Sequence, residues 1–241
     1  MNAVRALVTG GSGSIGAAIC QRLASDGHFV HVHANSRIGE AQAIARAIVE
    51  SGGRAEAIAF DVTDGEATLE ALEQLIEAGP IQILVNGAGV HEDAAFPGMS
   101  ARQWERVIDV SVNGFYNVTQ PLMLPMIRTR WGRVINLSSV TALIGNRGQV
   151  NYAAAKGALN AATRSLSLEV ASRGITVNAV APGIIASAMS DAVFDAAAIA
   201  DLVPMKRAGT AMEVAALVSY LASPAAGYVT GQVISISGGM A

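Results

Sequence analysis

Residues 3–16 read AVRALVTGGSGSIG: an apolar, β-branched run, a glycine-rich loop, and the first residues of an amphipathic stretch. Ala3–Thr9 suits a strand, and Ser14–Asp26 carries its apolar residues at helical spacing. The glycines therefore fall at a strand-to-helix turn. Glycine there lets the backbone approach a pyrophosphate, while the amides and positive dipole end of the helix face the anion. The stretch predicts a dinucleotide cradle made by Gly10, Ser12, Gly13, Ser14, Ile15 and Gly16. The plainer alternative is a glycine-rich turn that holds no ligand.

Outward from this unit the pattern repeats. Further candidate strands are His28–Ala34, Glu56–Phe60, Ile81–Asn86, Arg133–Leu137, Ile175–Ala181 and Gln232–Ile236. Between them lie candidate helices Gly39–Ser51, Ala67–Ala78, Ala101–Arg128, Val150–Arg173 and Ala211–Ala222. Regular β–α alternation predicts an α/β fold: a doubly wound parallel sheet of Rossmann type, about seven strands, with helices on both faces. Several strands are almost continuously apolar, as strands covered on both faces are. No linker or internal repeat divides the chain, so residues 1–241 read as a single domain. Pro121 and Pro125 predict a kink or an early end in the helix that contains them. Residues 187–204 have weak periodicity and read as a mobile lid over the carboxyl edge of the sheet.

Composition narrows the classes. The chain has 241 residues, 51% hydrophobic and 15% charged, which excludes a disordered protein. The single cysteine, Cys20, excludes a disulfide scaffold and suits a reducing compartment. Sixteen basic against 19 acidic side chains give a net charge of −3, which argues against a broad nucleic-acid or membrane surface. No apolar run reaches membrane-spanning length and no separate targeting stretch precedes the first strand, so a cytoplasmic protein is expected.

The second strand runs into Asn35, Ser36 and Arg37. An acid at this point would bind the ribose 2′-hydroxyl of NAD and repel a 2′-phosphate. Its absence, with an arginine fork in its place, predicts NADP(H). The alternative for Arg37 is a solvated residue at a helix start. Asp61, after the third strand, is placed to bond the adenine amine or to cap the next helix. Tyr152 and Lys156 lie one turn apart on one helix face. A phenol is a weak acid at neutral pH, and a nearby ammonium favours its ionisation. Ser139 follows a strand end, where the sheet edge would hold it near Tyr152.

These pieces, with Asp61-Val62, Asn86-Gly87-Ala88-Gly89, Ser138-Ser139, Tyr152-Ala-Ala-Ala-Lys156 and Pro182-Gly183, resemble the short-chain dehydrogenase/reductase family along the whole chain. Residues 145–152, 171–178 and 228–232, with Gly238-Gly239-Met240, are most similar to its 3-oxoacyl-carrier-protein reductases. The resemblance implies reduction of a 3-oxoacyl thioester by NADPH. Tyr152 would protonate the carbonyl oxygen, Ser139 would hydrogen-bond it, and Lys156 would lower the Tyr152 pKa and bond the nicotinamide ribose. Asn86, Gly87 and Ala88 would line the cofactor groove, and Pro182, Gly183, Ile185 and Ser187 would hold the carboxamide and phosphates. Two departures stand out. The loop has Ser14 where the family has a glycine. The family's fourth catalytic residue, an asparagine in a proton relay, is replaced by Ser111, with Asn113 as the alternative carrier of that role.

The implied carrier protein is acidic. Arg130 and Arg173 match the family's docking positions, and Arg128 and Arg133 lie nearby in sequence; solvated helix ends are the alternative. Small residues along the catalytic helix (Ala153, Ala154, Gly157, Ala158, Ala161, Ala162) allow close packing on the sheet or on a second subunit, and the family forms homodimers and homotetramers. Two other functions compete: a same-fold enzyme for a small free ketone or alcohol, and a non-catalytic nucleotide sensor. The sensor is disfavoured by the joint presence of Ser139, Tyr152 and Lys156.

Overall fold

The computed structural model describes residues 4–187 and 195–241. Seven parallel strands form one sheet in the order β3-β2-β1-β4-β5-β6-β7. They are β1 (Arg5–Thr9), β2 (Phe29–Ala34), β3 (Arg54–Ala59), β4 (Ile83–Asn86), β5 (Gly132–Leu137), β6 (Ile175–Pro182) and β7 (Val233–Ile236). The helices are α1 (Ser14–Ser25), α2 (Ile38–Glu50), α3 (Gly65–Glu77), α4 (Ala101–Ile108), α5 (Gly114–Thr129), α6 (Thr141–Ile144), α7 (Val150–Val170), α8 (Ala196–Leu202) and α9 (Ala211–Ala222). This is the expected Rossmann-type α/β architecture. The order reverses between β1 and β4, and ligands of such sheets bind in the crevice outside the carboxyl ends at that point.

Side-chain alternation along the strands supplies two cores. Ala6, Val8, Ile83, Val85 and Ile135 face one side, against Ile19 and Leu23 of α1, Ile48 of α2 and Val218 of α9. Leu7, Leu84, Val134 and Val177 face the other, against Leu72 of α3, Leu122 and Met126 of α5 and Val170 of α7. Every residue of β5 and β6 is buried, whereas the edge strand β3 alternates between exposed and half-buried.

Three expectations change. The helix read over Ala101–Arg128 is two helices joined by a π-helical turn, Asp109–Asn113. Neither proline ends it: Pro121 and Pro125 lie inside α5, held by the buried Val118, Leu122 and Met126. Part of the weakly periodic 187–204 segment is helical, since Asp195 caps α8 by accepting from the Ala198 N–H at 2.8 Å. Residues 188–194 of that segment, and Ala3 of the first strand, lie outside the described residues. Elsewhere β3 begins at Arg54, the helix expected to run to Arg173 ends at Val170 with a 3₁₀ turn after it, and other ends shift by a residue or two, as frayed ends do.

Candidate nucleotide and catalytic site

The carboxyl ends of β1 and β4 are pinned by one hydroxyl. Thr9 Oγ1 accepts from the N–H of Gly87 at 3.0 Å and of Ala88 at 3.2 Å. Gly10 then turns with φ +66°, and a Cβ there would stand 2.7 Å from the Gly87 carbonyl oxygen. Its N–H donates to His33 Nδ1 at 3.2 Å, while His33 Nε2 donates to the Phe60 carbonyl at 2.9 Å. Burial pushes the His33 pKa down to about 4, so the ring is neutral and its tautomer is set by these two partners. The loop is thus held from β2, β3 and β4 together.

Asp64, Ser100 and Thr210 cap α3, α4 and α9 with their side chains, but α1 starts at Gly13 without a side-chain cap. Its first amides, from Ser14 onward, are left for an anion. Beside them opens a cavity of about 520 Å³. Of the residues expected from sequence, Gly10, Ser12, Gly13, Asn35, Ser36, Arg37, Asp61, Val62, Gly87 and Ala88 line it. Ser14, Ile15, Gly16, Asn86, Tyr152, Lys156, Pro182, Gly183, Ile185 and Ser187 do not. Gly16 is buried where a Cβ would collide with the Gly10 carbonyl. Sequence reasoning missed His33, Thr63, Arg102, Glu105 and Arg106 on the same walls. Arg102 and Arg106 share one face of α4, and that spacing was the available signal.

Arg37 carries both readings at once. It lines the cavity, starts α2, and pairs with Glu40 at 3.0 Å while 68% exposed. Asp61 does not cap α3. It accepts from the Thr63 N–H and hydroxyl at 2.9 and 2.8 Å, and Asp64 is the cap. The Thr63 N–H, the Thr63 hydroxyl and Asn35 together hold the Asp61 pKa below the usual carboxylate value, against the opposing effect of burial.

Asn86 lies behind the cleft in a buried amide chain. It donates to Thr119 at 3.0 Å and to Asn136 at 2.9 Å, and Asn136 donates to Thr163 at 2.8 Å. This chain ties β4 to α5, β5 and α7. Asn151, fully buried, fixes the start of α7 by donating to the carbonyls of Glu92 and Gln103 and accepting from the Tyr152 N–H at 2.8 Å. Val140 N–H donates to the Pro182 carbonyl at 2.8 Å, and Ile185 bridges to Gly209, which anchors the end of β6.

The three expected catalytic side chains meet at the carboxyl edge. Ser139 Oγ accepts from the Thr141 N–H at 3.1 Å and is hydrogen-bonded to the Tyr152 phenol. Lys156 Nζ donates to the Leu137 carbonyl at 2.8 Å and stands 5.6 Å from the Tyr152 ring centre. The Tyr152 pKa is pushed up to about 12, because burial outweighs the Ser139 hydrogen bond. The expected lowering by Lys156 is not seen; the ammonium is spent on a carbonyl, and burial brings Lys156 itself down to about 8. Tyr152 is therefore a protonated donor at neutral pH.

Ser111 is buried in the π-helical turn, and its hydroxyl has no hydrogen-bond partner among the described residues. The Asn160 side-chain oxygen on α7, which packs against that turn, is also unpartnered. Asn113 is exposed and donates to Asp109 at 2.7 Å, which removes it from the catalytic cluster. Arg130 caps α5 and donates to the Ser172 carbonyl at 3.3 Å, bringing it beside the segment of Arg173. Both lie at the amino ends of β5 and β6, on the opposite edge from Tyr152. Arg133 is not a surface residue: it is 4% exposed, over the Trp131 ring, and donates to the carbonyls of Gly132 and Ser223. Ala154 and Ala161 are exposed and a Cβ at Gly157 would meet open space, so this stripe of α7 faces away from the sheet.

The family model for short chain dehydrogenases matches residues 4–198. The chain belongs to that family. It is similar to a 3-oxoacyl-[acyl-carrier-protein] reductase of Aggregatibacter actinomycetemcomitans, 44% identical over 97% of this chain and 98% of the relative. Nodulation protein G of Azospirillum brasilense is 43% identical, over 98% and 97%. A second 3-oxoacyl-[acyl-carrier-protein] reductase, from Staphylococcus epidermidis, is 39% identical over 98% of each chain. As a short-chain dehydrogenase the protein is an oxidoreductase of the class that uses a nicotinamide cofactor. Its residues fit such a group: α1 has no side-chain cap, the glycine loop is held open by buried partners, and the cavity continues beneath Asn35 and Ser36. Among the described residues no cluster could hold a metal and no helix is long and apolar enough to cross a membrane.

Proposed function

We propose that the protein reduces a 3-oxoacyl thioester, carried on an acidic acyl carrier protein, to the 3-hydroxyacyl thioester with NADPH. The observation that carries this reading is the meeting of Ser139, Tyr152 and Lys156 at the carboxyl edge of the sheet, with the buried Lys156 ammonium on the Leu137 carbonyl and 5.6 Å from the Tyr152 ring centre. NADPH, when bound, supplies hydride to the keto carbon. Tyr152 donates its proton to the carbonyl oxygen, worth about 10²–10⁴-fold in rate. Ser139, its oxygen aligned by the Thr141 N–H, donates to the same oxygen as charge develops. Lys156 below its pKa of about 8 stabilises the phenolate that is left. Ser111 holds a relay water from its buried, unpartnered hydroxyl. Ser14, Ile15 and Gly16 present the amides of α1 to the pyrophosphate, and Pro182, Gly183, Ile185 and Ser187 close the nicotinamide end.

The relatives' names support the thioester class. The NADPH choice rests on Asn35, Ser36 and Arg37 with no acid at the end of β2. Arg37→Asp should weaken NADPH binding by roughly 10- to 100-fold, for one charge-assisted bond of about 1.5–3 kcal/mol. Nicotinamide fluorescence titrations of both cofactors read this, and equal affinities in the unmodified protein would contradict it. A carrier on Arg130 and Arg173 would sit on the far sheet edge from Tyr152 of the same chain, so this docking requires a homodimer or homotetramer. The outward small-residue stripe of α7 and the exposed Leu168 and Tyr116 support such an assembly. The cytoplasm is the proposed location. Steady-state kinetics on 3-oxoacyl carrier thioesters against unlinked ketones test the substrate class; a preference for the unlinked ketones would overturn it.

A further inference from the structure

His91 lies on the segment that follows β4, and that segment is fastened by three hydrogen bonds to the start of α7 and the two residues before it. The Glu92 carbonyl accepts from Asn151, the Asp93 carboxylate accepts from Gln149, and Ala94 N–H donates to the Gly148 carbonyl, each at 2.9 Å. Arg106 adds an ion pair to Glu92 at 3.4 Å. On this fixed segment the His91 imidazole lies nearly flat on the Tyr152 phenol, with ring centres 4.2 Å apart and planes at 28°. Among the described residues no group hydrogen-bonds its ring nitrogens. Partial burial and the Lys156 charge hold its pKa below the ordinary histidine value, against Asp93, so the ring is neutral at pH 7. A neutral imidazole offers one N–H donor and one acceptor.

A ketone with one carbonyl uses Tyr152 and Ser139 and leaves that donor idle. A 1,3-dicarbonyl compound has a second oxygen two carbons from the first, a separation of the same order as the stack between the rings. We infer that His91 is a specificity-determining residue whose N–H receives the thioester carbonyl of the substrate while Tyr152 and Ser139 hold the keto oxygen. This rests on the proposed 3-oxoacyl reduction. The role has two separable parts. The ring steadies the phenol by stacking, and the N–H distinguishes a β-keto thioester from a simple ketone.

Two variants separate them. His91→Phe keeps the stack and loses the donor; His91→Gln keeps an N–H donor and loses the ring. Each is assayed with NADPH on an acetoacetyl thioester and on a fluorinated monoketone, with the NADPH dissociation constant and melting temperature measured alongside. His91→Phe should lower kcat/KM on the thioester about tenfold, mostly through KM, the loss of one neutral hydrogen bond. It should change the monoketone rate by less than twofold and leave NADPH affinity unmoved, while His91→Gln should recover part of the thioester KM. A His91→Phe enzyme within twofold of the parent on the thioester would overturn the inference, as would an equal loss on both substrates. An unmodified protein inactive on the thioester would instead overturn the functional reading, and this inference with it.

Discussion

At the scale of single residues, burial decides the chemistry more than charge proximity does. Tyr152 and Lys156 are one turn apart, and from that spacing alone the ammonium should ionise the phenol. In the folded chain burial drives Tyr152 to about 12 and Lys156 to about 8, so each side chain is pushed toward its neutral form. Tyr152→Phe should therefore reduce turnover by at least about 10²-fold and leave cofactor affinity nearly unchanged, since only the proton donor is removed. Parallel kcat and NADPH titration measurements check this, and retention of most of kcat would remove Tyr152 from its role. The sign of the pH dependence follows from Lys156. Its ammonium persists below about pH 8 and is lost above, while Tyr152 stays protonated throughout. The reduction rate should be flat up to about pH 8 and fall beyond it; a rate that rises through pH 8 would contradict the assignment. The catalytic trio was readable because residue type and spacing carry it. His91 was not, because a lone histidine after a strand has no pattern of its own, and its meaning lies in a loop bonded to α7.

At the scale of elements, the alternating apolar strands and the glycine loop were legible because both core faces demand them. The π-helical turn was not. Residues 109–113 contain no proline or glycine, and the helical spacing runs on either side. The only trace is Ser111, a polar residue in the buried series Val107, Ser111, Gly114, Val118. Such turns gather at functional sites, and this one packs on the catalytic helix. Ser111→Ala should lower kcat more than Asn113→Ala, because Asn113 spends its amide on Asp109 in solvent. A large loss at Asn113 with none at Ser111 would reverse the choice, and two neutral variants would remove a fourth residue from the mechanism. Arg133 was misread for a related reason. A charge at a strand start reads as surface, yet its stem is buried and its guanidinium meets a ring and three carbonyls.

At the scale of the whole molecule, one sheet built from both ends of the chain places the proposed nucleotide cradle and the proposed catalytic trio along the same edge. The cradle also sets a pH limit on stability. The His33 pKa is about 4 in the folded state against about 6.5 for an unperturbed histidine, so between these values the unfolded chain binds the extra proton. Stability should then fall as pH drops from about 6.5 toward 4, at up to about 1.4 kcal/mol per unit from this one ring. His33→Gln, which keeps an acceptor for the Gly10 N–H and a donor for the Phe60 carbonyl, should reduce that slope in urea melts across the range by the His33 share, the buried His31, brought down to about 3, keeping its own. An unchanged slope would show that other groups carry it.

The proposed reduction is measured outright by supplying NADPH and an acetoacetyl thioester to the purified protein and identifying the products. One 3-hydroxyacyl thioester should form for each NADPH consumed, with NADH a poor substitute. NADPH that binds without being consumed, or consumption with an intact 3-oxo group, would contradict it.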